Sequence, residues 1–312
     1  MILTVTLNAA LDITYRVPRL QPHATNRITE VSERPGGKGL NVARVLAALG
    51  HRTVATGFAG GGTGEALRAL LAETDVTDAL VPVGGATRRT VAVADASSGD
   101  TTQLNEPGPT VSPAEWDTFL GTYRELLGEA RAVALCGSLP PGVPVDVYAR
   151  LTRAARSAGV PVLLDTSGEP LRRGLAARPD LAKPNADELA ALTGSTEPLR
   201  AARDARRRGA HAVAASLGPD GMLAVTADGA WQAAPPQRIA GNPTGAGDSA
   251  VAGLLSGLVE ELPWPDRLAR AVALSAATVR APAAGEFDAA TYEELLARVV
   301  VTSAHPTSGP AR

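Results

Sequence analysis

The chain has 312 residues, 45% of them hydrophobic, and a formal net charge of −2 with both signs scattered along it. This is the composition of an ordinary globular protein, large enough for one α/β core carrying an insertion. It holds no apolar run long enough to span a bilayer and no basic face of the kind that binds nucleic acid, so neither is expected as a partner.

The opening Met-Ile-Leu-Thr-Val-Thr-Leu has no basic leader and reads as a first strand rather than a signal peptide. The single cysteine, Cys136, cannot form an internal disulfide, which fits a reducing cytoplasm. Residues 13–33 are extended, alternating chain. They are followed by Pro35-Gly36-Gly37-Lys38-Gly39-Leu40-Asn41, a glycine-rich turn that opens an amphipathic helix and makes an anion- or hydroxyl-binding entrance. It is not a Walker loop, because Gly-x-x-x-x-Gly-Lys-Ser/Thr is absent from the chain. Residues 86–104 are again extended, with Arg88 at their start. The two extended segments are expected to pair as a small β lid; the competing reading makes them edge strands of the main sheet.

From residue 132 the pattern alternates. Strands are expected at 132–136, 160–164, 181–182 and 212–216, with helices near 145–157, 168–177, 186–193 and 199–208 between them, which means βαβ units around a buried parallel sheet. Open sheets of this kind bind ligands beyond the carboxyl ends of their strands. Ser138, Asp165, Lys183 with Asn185, and Ser216 all fall just past such ends.

The strongest signal is Asn242-Pro243-Thr244-Gly245-Ala246-Gly247-Asp248-Ser249 ahead of a buried apolar helix. Free N–H groups at a helix N-terminus form an anion site, and small residues let a phosphate approach the main chain. A carboxylate placed there can take a proton from an attacking hydroxyl. The alternatives are a plain N-cap aspartate and a dinucleotide fingerprint, which lacks its βαβ context. Only two of the 30 basic residues are lysines, Lys38 and Lys183. In so arginine-biased a chain, a retained lysine is expected to mark a place that needs a compact ammonium, the alternative being chance survival at two surface sites. Residues 301–312 lack apolar periodicity and are expected to be a disordered tail.

These motifs resemble the ribokinase-like carbohydrate kinase family, also called the phosphofructokinase B family, with its first signature at Gly36 to Leu46 and its second at Asn242 to Leu255. The stretches Thr4 to Asp12, Gly137 to Gly142, Lys183 to Glu188 and Ser216 to Gly221 resemble its branch of 1-phosphofructokinases and tagatose-6-phosphate kinases. The resemblance implies a three-layer α/β/α sandwich, its main domain at 1–12, 34–85 and 105–300, with a β lid at 13–33 and 86–104. It implies transfer of the ATP γ-phosphoryl group to a primary hydroxyl of a ketohexose monophosphate, with Mg²⁺, in a homodimer joined through the lid.

By the same resemblance Asp248 is the catalytic base, and Gly245, Ala246 and Gly247 form the anion hole. Asp12, Gly36, Gly37 and Asn41 hold sugar hydroxyls, Ser138 lies near the sugar, and Lys38, Arg88 and Arg27 neutralise the substrate's phosphate. Lys183, Asn185, Ser216, Gly218, Gly221 and Gly247 border the nucleotide, and Glu188 organises Mg²⁺ through water. The alternative is a kinase of an unphosphorylated sugar or nucleoside on the same fold. A sugar-binding regulator that has lost catalysis is a rival from another class.

Overall fold

The structure, a computed structural model, describes residues 1–304. Its main sheet has ten strands. Seven run parallel: β1 (Ile2–Thr6), β4 (Thr53–Ala59), β5 (Val76–Pro82), β8 (Ala132–Cys136), β9 (Val162–Asp165), β10 (Leu181–Ala182) and β11 (Ala212–Ser216). Three more, β12 (Met222–Val225), β13 (Ala230–Ala234) and β14 (Val300–Ser303), continue it antiparallel, in the order β14-β13-β12-β11-β10-β9-β8-β1-β4-β5.

Alternation along each buried strand feeds two cores. In β8, Val133 and Leu135 face one layer, while the smaller Ala132, Ala134 and Cys136 face the other. The first layer contains α3 (Pro113–Leu127), α4 (Val147–Ser157), α5 (Gly168–Ala176), α6 (Ala186–Thr193) and α7 (Pro198–Arg207). Opposite lie α1 (Lys38–Ala48), α2 (Gly61–Leu71), α8 (Ala246–Val259), α9 (Trp264–Thr278) and α10 (Ala289–Leu296). This is the expected three-layer arrangement. No helix among the described residues is long and apolar enough to cross a membrane.

The extended segments form a sheet of their own, not edge strands of the main one. β3 (Glu30–Gly36), β2 (Ala10–Val17), β6 (Arg88–Asp95) and β7 (Thr101–Asn105) pair in the order β3-β2-β6-β7, with the central pair β2–β6 parallel. The ladder starts at Ala10 and reaches Gly36, wider than the expected 13–33, because Ala10 and Leu11 are buried and pair with Gly36 and Pro35. Asp12 therefore stands inside β2, not on the main sheet.

The expected disordered tail is corrected at its start. Val300–Ser303 form β14, since Val301 packs against the second core and the strand pairs with β13, Trp231 opposite Ser303. Residues 305–312 lie outside the described residues.

Candidate active site

The carboxyl ends of the parallel strands, the first turn of α8 and the small sheet surround the site. Asp248 sits in that first turn, 7% exposed, and its Oδ2 accepts a 2.8 Å hydrogen bond from Asn41 Nδ2 on α1. Burial, and next the nearby Asp165 carboxylate, push the Asp248 carboxyl up to about 6 against the pull of Lys38, Asn41 and Lys183. A buried carboxyl so shifted, beside a helix N-terminus, is the electrostatic signature of a group poised to exchange a proton near neutral pH.

Gly245 caps α8 with φ 83°, and a Cβ there would lie 2.7 Å from that of Ala284, so only glycine fits. Of the three residues expected to form an anion hole, Ala246 has its N–H already engaged. It bonds the Pro243 carbonyl at 3.1 Å, which leaves Gly245 and Gly247 as the N–H groups without a backbone acceptor among the described residues.

A cleft of about 650 Å³ gathers Asn185, Ser216, Gly218, Gly221, Ala246 and Gly247, with Val272, Ala276 and Val279 as an apolar wall. Of the residues expected around a nucleotide, only Lys183 is set back from it. Lys183 is 4% exposed; its Nζ lies 3.4 Å from Asp165 Oδ1 and 3.7 Å from where a Cβ on Gly247 would be.

Lys38 reaches the other oxygen of the same carboxylate, Nζ to Oδ2, at 3.2 Å. Burial would lower the Lys38 ammonium, but the charges of Asp165, Asp248 and Glu188 outweigh it and hold the group above its ordinary value. Asp165, 1% exposed at the end of β9, was placed by its strand-end position but given no role by sequence reasoning. Its neighbours supply one.

Glu188 and Asn185 form a reciprocal cap on α6. Asn185 Oδ1 accepts from Glu188 N–H at 2.8 Å, and Glu188 Oε2 accepts from Asn185 N–H at 2.9 Å. The Asn-x-x-Glu spacing is the sequence signature of such a capping box, and one Glu188 oxygen stays clear of it. Among the described residues no group of three or more His, Cys, Asp or Glu could hold a metal by itself. That donor set suits Mg²⁺, which keeps several waters and binds largely through phosphate oxygens.

On the small sheet, Asp12 lies over Gly36 so closely that a Cβ there would fall 2.0 Å from the Asp12 carboxyl carbon. Burial pushes Asp12 up to about 6, opposed by a Thr90 hydrogen bond and by Arg88 and Arg44. Gly37 caps α1 directly before Lys38. A cavity of about 190 Å³ is lined by Lys38, Arg88 and Ser138 together with Asn8, Cys136 and Thr166. Arg88 donates from Nε to the Asn8 carbonyl at 3.1 Å, whereas its neighbour Arg89 is tied to Glu106 at the surface. Arg27 is not brought in: it is exposed in the loop between β2 and β3 and lines neither the cleft nor this cavity.

Three further residues escaped sequence reasoning. Arg44 on α1 donates to the Ala284 carbonyl at 2.9 Å and to Glu286 at 2.7 Å, and Arg34 of β3 joins the same Glu286 at 3.2 Å. The small sheet, α1 and the loop beside Gly245 are thereby tied together. Arginines are abundant in this chain, so nothing in the sequence singled these out.

The model of the pfkB family carbohydrate kinases matches residues 5–290. A 1-phosphofructokinase of Rhodobacter capsulatus is 41% identical over 283 residues, covering 88% of this chain and 90% of that protein. Phosphofructokinase-2 from Escherichia coli, solved in complex with fructose-6-phosphate, superposes with a TM-score of 0.87 at 32% identity, covering 95% of this chain and 98% of that one. That protein is also described in a tetrameric inhibited form. A possible 1-phosphofructokinase from Thermotoga maritima gives a TM-score of 0.89 at 28% identity over 98% of this chain and 100% of its own.

Proposed function

The chain belongs to the pfkB family of carbohydrate kinases, and from that premise we propose that it moves the γ-phosphoryl group of ATP onto a primary hydroxyl of a ketohexose monophosphate. The observation that carries the reading is the position of Asp248: a buried carboxyl at about 6, one residue from the free Gly247 N–H that borders the cleft. ATP lies in that cleft with its adenine against the apolar wall. Gly245 and Gly247 N–H face the transferring phosphoryl group, and Lys183 stands behind Gly247. Asn185 and Glu188 would help hold Mg²⁺, which when bound would supply charge neutralisation to the phosphates.

Asp12 and the Asn41 Oδ1, buried without a donor among the described residues, accept from sugar hydroxyls. Lys38 and Arg88 take the substrate's own phosphate in the small cavity. Asp248 removes the proton of the hydroxyl aimed at the γ-phosphorus, so orientation and preorganised charge supply most of the rate. We read the small sheet as a lid and the chain as a homodimer joined through it. Its edge strands carry exposed Val31 and Leu104, with Ile28 beside them, which suits burial against a second copy. Sedimentation velocity on the native chain and on a Val31→Asp/Leu104→Asp variant tests this; an unchanged dimer in the variant would place the contact elsewhere.

The test of the activity is kcat/KM with ATP and Mg²⁺ for fructose-1-phosphate, fructose-6-phosphate, tagatose-6-phosphate, fructose and a nucleoside. A phosphosugar should lead. If fructose or the nucleoside matched it, the phosphosugar reading would fail.

A further inference from the structure

Asn8, in the turn between β1 and β2, is 7% exposed, and groups from three separate segments meet on it. Its Nδ2 donates to the Ser138 hydroxyl at 3.2 Å and to the Pro107 carbonyl at 3.1 Å, and its main-chain carbonyl accepts from Arg88 Nε at 3.1 Å. The chain leaving β7 presses on the same amide: a Cβ on Gly108 would lie 2.2 Å from Asn8 Oδ1. Asn8 also lines the cavity shared by Lys38, Arg88 and Ser138.

These contacts fix directions. A serine hydroxyl has one proton and two lone pairs. By accepting from Asn8, the Ser138 oxygen keeps its proton for another acceptor, which suits an anion in the cavity. Arg88 is held by Nε on Asn8 and by one terminal nitrogen on the Glu106 carbonyl at 3.3 Å. Its other terminal nitrogen has no partner among the described residues. The Asn8 side chain thus turns the Ser138 proton outward, beside an Arg88 held by the main chain of residues 8 and 106.

We infer that the Asn8 side chain is a positioning group that sets the preference for a phosphorylated sugar, by orienting the Ser138 hydroxyl toward the substrate's phosphate. The inference rests on the phosphosugar reading above. It makes no claim that Asn8 touches substrate.

Two variants test it. Asn8→Ala removes the donor. Asn8→Asp keeps the shape but must accept from Ser138, which turns the hydroxyl inward and adds negative charge beside the phosphate. The readouts are kcat/KM for the wild type's best phosphosugar and for fructose, KM for ATP, and the dissociation constant of that phosphosugar by calorimetry without ATP. Loss of directed hydrogen bonds to a charged group should lower the phosphosugar-to-fructose ratio by roughly 10- to 100-fold in Asn8→Ala, and further in Asn8→Asp. Calorimetry should weaken in step, and KM for ATP should move less than about threefold.

If Asn8 works through Ser138, the loss in Asn8→Ala/Ser138→Ala should fall well short of the product of the single losses. A ratio unchanged in both variants, or all parameters falling together with Tm, would overturn the inference. A wild-type enzyme without phosphosugar preference would remove it along with the reading it rests on, and the wild-type measurement alone separates that case.

Discussion

Lys38 and Lys183 share one buried counter-ion. Lys38 comes from the first residue of α1 and Lys183 from the turn after β10, and they meet the two oxygens of Asp165 at 3.2 and 3.4 Å. Each ammonium thus pairs with its own oxygen of one carboxylate. Replacing Asp165 by Asn leaves the Lys183 ammonium, 4% exposed, without its partner. Removing one member of a buried pair costs roughly 3–5 kcal/mol, which urea unfolding will show. The Asp165 charge also raises Asp248, so the acid limb of the activity profile should move to lower pH in this variant. An unmoved limb would mean that Asp165 does not reach the base electrostatically.

Asp248→Asn keeps the shape of the side chain and removes the proton acceptor. Turnover should fall by roughly 10²–10⁴, with ATP affinity by calorimetry little changed. Near-normal turnover would transfer the role of base to another group.

The pH dependence follows from the same carboxyl. Asp248 must be ionised to act, so kcat/KM should rise with pH through about 6 and level off above it. The linkage sign is the reverse for stability. A folded value of about 6 above an unfolded value near 3.8 means that the fold disfavours the ionised form. The charged group therefore costs stability at neutral pH, and this cost disappears as pH falls through 6 toward 4. Asp248→Asn lacks it, and should exceed the wild type by up to roughly 3 kcal/mol at pH 7.5, with the gap closing near pH 4. Asp12 is raised to about 6 as well, but it is common to both proteins and cancels in the difference.

Arg88 and Lys38 converge on one small cavity, and charge-assisted contacts to a phosphate are worth on the order of 1.5–3 kcal/mol each. Together they should favour a phosphosugar over the free sugar by roughly 10²–10⁴ in kcat/KM. Arg88→Ala should reduce that ratio by roughly 10- to 100-fold. A ratio unaffected by the change would place the phosphate elsewhere.

Much of this was readable from sequence, for definite reasons. Strands buried on both faces appear as short unbroken apolar runs, so β8, β10 and β11 fall where Ala-Val-Ala-Leu-Cys, Leu-Ala and Ala-Val-Ala-Ala-Ser place them. That Asn185, Ser216, Gly218 and Gly221 would gather at one cleft was readable because they lie in short turns at the ends of neighbouring parallel strands. β14 was hidden because Val300 and Val301 abut a polar stretch and form an edge strand only through pairing with β13. Arg27 carried the right charge at an exposed loop position, and charge alone gives no address. Asn8 gave no signal, since its importance lies in contacts with residues 88, 107 and 138 that only the folded chain brings together.

The small sheet joins the main sheet through four chain crossings: between β1 and β2, between β3 and α1, between β5 and β6, and between β7 and α3. Asp12 and Arg34 ride on the first pair of strands and Arg88 on the second, while Lys38 starts the helix into which one crossing runs. No single loop can act as a hinge for such a unit. Any displacement must shear all four crossings at once and carry Asp12, Arg34 and Arg88 along. Free energy released if the proposed substrate engages Asp12 and Arg88 would therefore be transmitted directly to the position of the sheet. On the proposed reading of the small sheet as a lid, gripping the ligand and shutting water out would be one mechanical coordinate, not two successive events.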